Sequence, residues 1–388
     1  MSGKRGRRHR GGINKRKPPM PIYPAFAQAP IKPPFFDMVM LQDSFDGTKN
    51  NLDAAFEKEI IDKAKLLQPT AVVKAKVGEL TEHIINALNL EKEEKTLADV
   101  VINHVAKVGS FNTDTTLNTS AKSDIALQLC TLPSFETLSA ISKRVIENIQ
   151  QKSNFKDVIT AVNHDYGCCI MTPNAQARIL VTILPEISEK LEPDLHLGEK
   201  KLMLNYFSIR HSEWFQEVIE SIDSFTLLEL RSLIRVLRHA KNRFMDLQSL
   251  SIWNIHFLAF YSLLNGPRGT KVNLGTAFRR FFELLAAGIL LPKTRCMIDP
   301  TSKSMQIGWE LTNAQRDALT MAGQTMVRIF ATGNDGYRAV LGTLATCQGV
   351  DLTQQKSAWN GIVVEPLRDA FKEGCMDPYL IEPGFVEI

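Results

Sequence analysis

Cysteine is scarce in this chain, and where it occurs it forms no pattern. Six residues (Cys130, Cys168, Cys169, Cys296, Cys347, Cys375) are scattered over 388 positions, with no CxxC pair and no regular framework. That excludes a disulfide scaffold and a cysteine zinc site, and it fits a reducing compartment. The eight histidines include no HxxxH or HExxH pair, so a histidine metal site is not indicated either. No apolar run is long enough to span a membrane, and no apolar segment of the secretory type follows the basic start. No Ser-His-Asp or Cys-His nucleophile motif stands out. Acid is missing in two places that matter below: residues 1–17 contain none, and none occurs from Ile170 to Pro185.

What is present is unevenly charged. Lys4, Arg5, Arg7, Arg8, Arg10, Lys15, Arg16 and Lys17 crowd the first 17 residues, while the remaining 38 basic and 42 acidic residues leave the body at −4 against +4 for the whole chain. A block of like charge this dense is expected to be disordered and to contact nucleic-acid phosphates, and Lys15-Arg16-Lys17 could also serve as a nuclear address. A proline-rich stretch follows, from Pro18 through Pro33 and Pro34, which cannot bury enough apolar surface to fold alone. The folded body begins at Phe35-Phe36.

Periodicity divides that body into a mixed α/β lobe over residues 35–190 and a helical lobe over 191–388. Leu52, Phe56, Ile60, Ala64 and Leu67 recur at helical spacing before Pro69, as do Val73, Val77, Leu80, Ile84 and Leu88. Residues 98–108 alternate as a strand would. Ser134 caps a predicted helix through Gln150, and strands are expected near Val158–Val162, Cys168–Met171 and Arg178–Leu184. After Pro185 the pattern is helical throughout (199–215, 226–240, 250–264, 274–289, 312–331, 336–345), with Asp351–Ile388 a less regular return segment.

The chemistry-bearing stretch is Val108-Gly109-Ser110 followed by a Thr-rich loop (Thr113, Thr115, Thr116) and an apolar strand carrying Asp124. A Gly-Ser turn lets backbone N–H groups approach phosphate oxygens, and a strand of the form Asp-x-Asp aims two carboxylates at one site, where they hold Mg²⁺ against those phosphates. A third acid on a neighbouring strand completes a two-metal clamp for nucleotidyl transfer. Here the second position is Ala126, and the later strands offer no acid. Each 1.4 kcal/mol of lost transition-state stabilisation costs about tenfold in rate, so loss of most metal ligands predicts no transferase activity. Gly109, Ser110 and Asp124 remain candidates for weak binding of a nucleoside triphosphate with a single Mg²⁺ on the Asp124 carboxylate; no cofactor is required.

Other clusters carry two readings each. Arg231 and Arg235, with Arg238 on the same helical face, are candidates for phosphate contacts, or they pair with the acids of residues 213–229. Arg210-His211 with Trp214 could stack on a base, although Trp214 and Phe215 more simply close a helix onto the core. His211 and His256 are expected to be hydrogen-bonded structural residues. Ala277–Leu291 is apolar enough to be deeply buried or to form an interface. Leu319, Met326 and Phe330 lie on an apolar, methionine-containing helix face that suits a partner interface or a core.

Val108-Gly-Ser through Ser123-Asp124 is similar to the corresponding stretch of oligoadenylate synthetases and resembles the DZF domain more closely. Leu195-His196-Leu197, Ile209-Arg210-His211, Leu233-Ile234-Arg235, Ala277-Phe278-Arg279-Arg280, Leu291-Pro292, Ile298-Asp299-Pro300 and Leu311-Thr312 also resemble DZF sequence, so that the likeness runs from about residue 35 to 370. The resemblance implies a bilobed, α+β nucleotidyltransferase-like fold without catalysis. It implies a heterodimer, formed through the helical lobe, with a DZF partner that carries double-stranded RNA-binding domains or zinc fingers. It also implies RNA contact mainly through that partner, contact with DNA, no membrane, and nuclear roles in transcription and RNA control that extend to nucleolus and cytoplasm. The chain departs from the pattern in its few Arg-Gly repeats and in lacking an acidic C-terminal tail. Two alternatives stay open: a residually active transferase, and an RNA-binding protein acting alone through its basic tail.

Overall fold

The computed structural model describes residues 54–343, apart from 98, 153–154, 156, 267–268, 293–296, 303–304 and 331–333, together with 357–359 and 362–364. The basic residues of 1–17, the start at Phe35-Phe36, Leu52, Cys296, Cys347, Cys375 and most of Asp351–Ile388 lie outside the described residues.

Helix α1 (Ala54–Leu66) buries Phe56, Ile60 and Ala64, a four-residue spacing that keeps all three on one side, and stops before Pro69. Helix α2 (Ala71–Glu94) starts where the Thr70 hydroxyl accepts the Val73 N–H at 3.3 Å and buries Val77, Leu80, Ile84 and Leu88. Five strands follow: β1 (Ile102–Val108), β2 (Ser123–Leu129), β3 (Thr160–His164), β4 (Gly167–Met171) and β5 (Gln176–Ile183), with a one-turn helix α3 (Gly109–Asn112) after β1 and helix α4 (Phe135–Lys152) after β2. Their order in the sheet is β1-β2-β5-β4-β3; β2 and β5 run parallel and the other neighbours antiparallel. The parallel pair is made possible by the long excursion through α4, β3 and β4.

One face of the sheet packs on α2 and α4, with Ile125, Leu127, Ile179 and Val181 against Leu80, Ile84, Leu138 and Val145. The opposite face is covered by α5 (Glu199–Ser221), whose Ile209 meets Val108 and Ala126. Asn205 on α5 donates to the Val181 carbonyl at 2.7 Å, and Thr182 donates to the Leu202 carbonyl at 2.7 Å, so the helix is fastened to β5 by hydrogen bonds as well as by packing.

The second half contains α6 (Ser224–Arg243), α7 (Ile252–Leu264), α8 (Leu274–Ala286), α9 (Asn313–Phe330) and α10 (Asn334–Leu341). Asp223, Ser251 and Asn273 cap α6, α7 and α8 by accepting N–H groups of the first turn, the role for which these residue types are favoured. The core is rich in phenylalanine: Phe257, Phe260, Phe278, Phe281, Phe282 and Phe330 are all at most 1% exposed, and Phe330 stacks on Tyr337 at 4.4 Å. Gly323 lets α9 approach α8 closely, since a Cβ there would lie 2.5 Å from the Ala286 nitrogen.

One expectation about organisation needs correction. The cut at residue 190 does not hold in space: Phe56, Ile60 and Ala64 of α1 belong to the phenylalanine core, with Phe56 5.5 Å from Tyr337. The 23-residue α5 serves both cores, giving Leu202 and Ile209 to the sheet and Phe215 and Val218 to the helices. The second half is helical, as its periodicity predicts. Two short strands, β6 (Ser357–Trp359) and β7 (Ile362–Val364), pair antiparallel, within the segment whose irregular periodicity marks it off from the helices. Among the described residues no helix is long and apolar enough to cross a membrane.

Candidate functional site

The Gly-Ser step sits where β1 ends. Gly109 has φ +71°, in the left-handed region, and a Cβ there would come 2.5 Å from Asp124 Oδ2. Glycine is therefore required twice, for its backbone angle and for the close approach of the carboxylate. That approach follows from the sheet register, because Val108 and Asp124 are Cα partners across β1 and β2. Ser110 is buried, and its hydroxyl accepts from Thr116 Oγ1 at 3.3 Å, while its carbonyl accepts the Thr115 N–H at 2.8 Å. Ser110 thus ties down the Thr-rich loop.

Along β2 the side chains alternate as the strand period requires. Ile125 and Leu127 join the core under the sheet; Asp124 and Ala126 face the other way. The partners of Asp124 and Ala126 on parallel β5 are Arg178 and Leu180. Where a metal site needs further acids, this chain has a methyl group, an isobutyl group and a guanidinium. Arg178 Nε donates to Asp124 Oδ1 at 2.6 Å, with side-chain exposures of only 21% and 6%, and its guanidinium carbon lies 5.7 Å from the centre of the Tyr166 ring. A single carboxylate already holding a cation does not fit a pair of divalent ions. Among the described residues no group of three or more His, Cys, Asp or Glu is placed to hold a metal.

The surroundings offer little other reactivity. Cys169 is the Cα partner of Arg178 and accepts from Gln176 Nε2 at 2.9 Å. Burial pushes the Cys169 thiol up, although the Gln176 hydrogen bond and the Arg178 charge pull against it. Burial, with Cys169 beside it, pushes Cys168 up to about 12, and burial first of all also takes the Tyr166 phenol to about 12. Both thiols are buried and unbridged, as expected for packing residues.

The loop after Ser110 is gripped from the helical half. On α6, Arg231 Nε donates to the Thr113 carbonyl at 3.2 Å, Arg235 Nη2 donates to the Asp114 carbonyl, and Arg238 Nη1 donates to the Thr115 carbonyl at 2.6 Å. Arginines at i, i+4 and i+7 of one helix face thereby take three successive carbonyls. Asp114 adopts φ +54°, and its carboxylate receives Lys74 Nζ at 2.7 Å and Arg235 Nη2 at 3.2 Å. Burial raises the Asp114 carboxyl, but the Lys74 hydrogen bond and the Arg235, Lys74 and Arg231 charges outweigh it and hold the group below its usual value. His256 completes the grip with Nε2 3.0 Å from Thr115 Oγ1; burial first, then the Arg238 charge, depress its pKa to about 3, so the ring is neutral. The partners of Arg231 and Arg235 are thus Asp114 and the loop backbone rather than the acids of 213–229, and Arg235 is 1% exposed.

Of the remaining sequence candidates, Arg210 stays exposed beside Glu213, and the others pack against the interior. His211 Nε2 is 3.1 Å from Asp299 Oδ2, its ring stacks on Trp253 at 3.8 Å, and burial lowers its pKa against the pull of Asp299. Trp214 packs on Trp253, Phe257 and Phe260 and so closes α5 onto the core. Leu319, Met326 and Phe330, expected at a partner interface, are 0%, 2% and 0% exposed. They fill this chain's own core against α8 and cannot also present a surface; Met321 on the same helix points outward at 64% exposure.

Sequence reasoning misses Arg178 and Asp114 as site residues. Arg178 has a legible signal, because it lies at the start of the predicted strand on which a third acid would be expected. Asp114 has none, since its role depends on a left-handed backbone angle and on cations from two distant helices.

Comparison with known proteins agrees with this architecture. A model of the DZF N-terminal domain matches residues 16–220, and one of the DZF C-terminal domain matches residues 229–365. Among solved structures, Escherichia coli CdnC in its complex with HORMA-deltaN is 14% identical, with a TM-score of 0.53, covering 76% of this chain and 98% of that chain. E. coli CdnC with ATP is 12% identical, with the same TM-score of 0.53 and coverage of 76% and 98%. A cytoplasmic RNA terminal U-transferase is 10% identical over 74% of this chain and 98% of that one, at a TM-score of 0.46. The fold is a nucleotidyltransferase-like α+β fold. With two domain models that together take in most of its length, the chain belongs to the DZF family.

Proposed function

We propose that this protein is a non-catalytic DZF subunit. It pairs with a second DZF protein carrying double-stranded RNA-binding domains or zinc fingers, and it takes part in nuclear RNA binding, transcription regulation and post-transcriptional RNA control. The observation that supports loss of catalysis most strongly is the replacement of the acid constellation: Asp124 is neutralised by Arg178 at 2.6 Å, and the flanking positions are Ala126 and Leu180. Charge neutralisation by metals is most of what a nucleotidyl-transfer site must supply, so a site with one engaged carboxylate cannot supply it. No cofactor enters this reading, and the triphosphate with Mg²⁺ anticipated at Gly109, Ser110 and Asp124 is not part of it. The grip of α6 on residues 113–115 fits a scaffold, because it ties the Gly-Ser region rigidly to the helical half. Pairing rests on family membership, and the partner's contact surface is drawn from what the helical half leaves exposed, Met321 included.

Two measurements test the proposal. Incubation with labelled nucleoside triphosphates, an RNA primer and Mg²⁺ or Mn²⁺ is expected to give no incorporation; turnover that disappears in Asp124→Ala would overturn it. On size-exclusion chromatography the chain is expected to co-elute with a DZF partner as a 1:1 complex. A stable monomer that ignores the partner would refute the scaffold role.

A further inference from the structure

Asp124 is nearly buried, and a buried carboxylate must be balanced. In a metal-dependent site the balance comes from the ion. Here Arg178 stands in Cα register with Asp124 on the parallel neighbour strand and donates Nε to Oδ1 at 2.6 Å. The other carboxylate oxygen lies against Gly109, where even a methyl group would come 2.5 Å from it. A cation of the chain itself therefore already holds this carboxylate. Ala126 sits in a small apolar cluster with Val108 and Ile209, so the strand position that would offer a second carboxylate is dry.

We infer that Arg178 has taken over the charge-balancing place of the divalent ion, so that this cleft assembles without metal and is closed to it. The inference rests on the non-catalytic reading above. The acid is retained while the cation has become part of the chain. Arginine suits the exchange: it stays charged at any working pH and has the planar donor geometry that a carboxylate accepts.

Mn²⁺ binding to the full chain, read by water-proton relaxation with the metal as the only probe, tests it directly. The parent protein is expected to show no enhancement above a surface-charge control. Ala126→Asp alone is expected to bind no better, since Arg178 still occupies Asp124. Ala126→Asp combined with Arg178→Asp is expected to bind Mn²⁺ on the order of tenfold more tightly or better, because ligand charge and number set the affinity of such sites. Arg178→Gln, the milder change, is expected to give a smaller enhancement by releasing Asp124, and it keeps the test decisive if the double variant does not fold. Mn²⁺ binding by the parent that Asp124→Asn abolishes, equal binding by Ala126→Asp with and without Arg178, or no enhancement in a folded Arg178→Gln would each overturn the inference. Nucleotide incorporation by the parent would instead overturn the non-catalytic reading. Mn²⁺ at Asp124 without incorporation would overturn only the metal exchange.

Discussion

His256 shows how much one buried side chain can set. Its Nε2 meets Thr115 Oγ1 at 3.0 Å, and its pKa is depressed to about 3 by burial and by Arg238. His239 on α6 is depressed to about 4 by burial and by the Lys63 and Arg243 charges. Both are neutral in the folded chain and take up protons near pH 6.5 when unfolded. The unfolded state therefore binds more protons below that pH. Stability is fully present above pH 6.5 and is lost as the pH falls toward 4 and then 3, by up to about 1.4 kcal/mol per pH unit for each histidine. Urea titrations between pH 7.5 and 4.5 are expected to show this slope, and His256→Phe to flatten part of it. An unchanged slope in that variant would place the proton uptake elsewhere. At this scale much of the site is legible in the sequence. Gly109, Ser110, Asp124 and the missing partner at Ala126 are local facts of a strand and a turn. Arg178 stands on a predicted strand, but its pairing with Asp124 can be read only once it is known that β5, rather than β3 or β4, lies beside β2.

At the scale of elements, α6 is the instructive case. Its arginine face looks like a phosphate-binding stripe, because three cations at i, i+4 and i+7 form the electrostatic footprint of such a surface. The same spacing serves three successive carbonyls of residues 113–115. Helical periodicity aligns the cations but says nothing of what they meet, and the acid they meet lies more than a hundred residues away in the chain. Arg235 is 1% exposed, and its guanidinium holds both the carbonyl and the carboxylate of Asp114. Arg235→Met should cost about 2–4 kcal/mol, at the lower side of a buried pair because Asp114 remains 42% exposed. Chemical denaturation would measure it. A loss below about 0.5 kcal/mol would mean that Lys74 and Arg231 hold the loop without Arg235. The apolar face of α9 carries the same lesson. Leu319, Met326 and Phe330 mark a face that must be covered, and periodicity cannot say whether the cover is α8 of the same chain or a partner.

For the whole molecule, charge is divided between a basic start and a mildly acidic body. Residues 1–17 carry eight of the 46 basic residues, and removing them takes the net charge from +4 to −4. Without them the isolated chain should bind duplex RNA at least about tenfold more weakly at low salt, and its salt dependence should shrink by about 0.7–0.9 in log–log slope for each phosphate that is no longer neutralised. Fluorescence anisotropy across a KCl series would check this, with and without a DZF partner. If the complex keeps its affinity after the deletion, the tail is auxiliary; if the isolated chain keeps its affinity, the tail is not the RNA-binding element. Helix α1 lies in the phenylalanine core and α5 serves both cores, so the halves cannot be separated at residue 190. A cut there would strand Phe56 and Ile60 from the helices that bury them.

What the sequence determined by itself was everything governed by short range. Strand alternation, helical stripes, the Ser134 cap, the Gly-Ser step and the absence of acids are properties of neighbours in the chain, and most elements lie within a few residues of where the pattern put them. Tertiary structure alone decided which strands lie side by side, which helix face is core, and which charge meets which. Those outcomes depend on pairings such as Asp124 with Arg178, 54 positions apart, or Asp114 with Arg235, 121 apart. At such separations chain order no longer constrains distance, and the packing of the two cores sets the pairing.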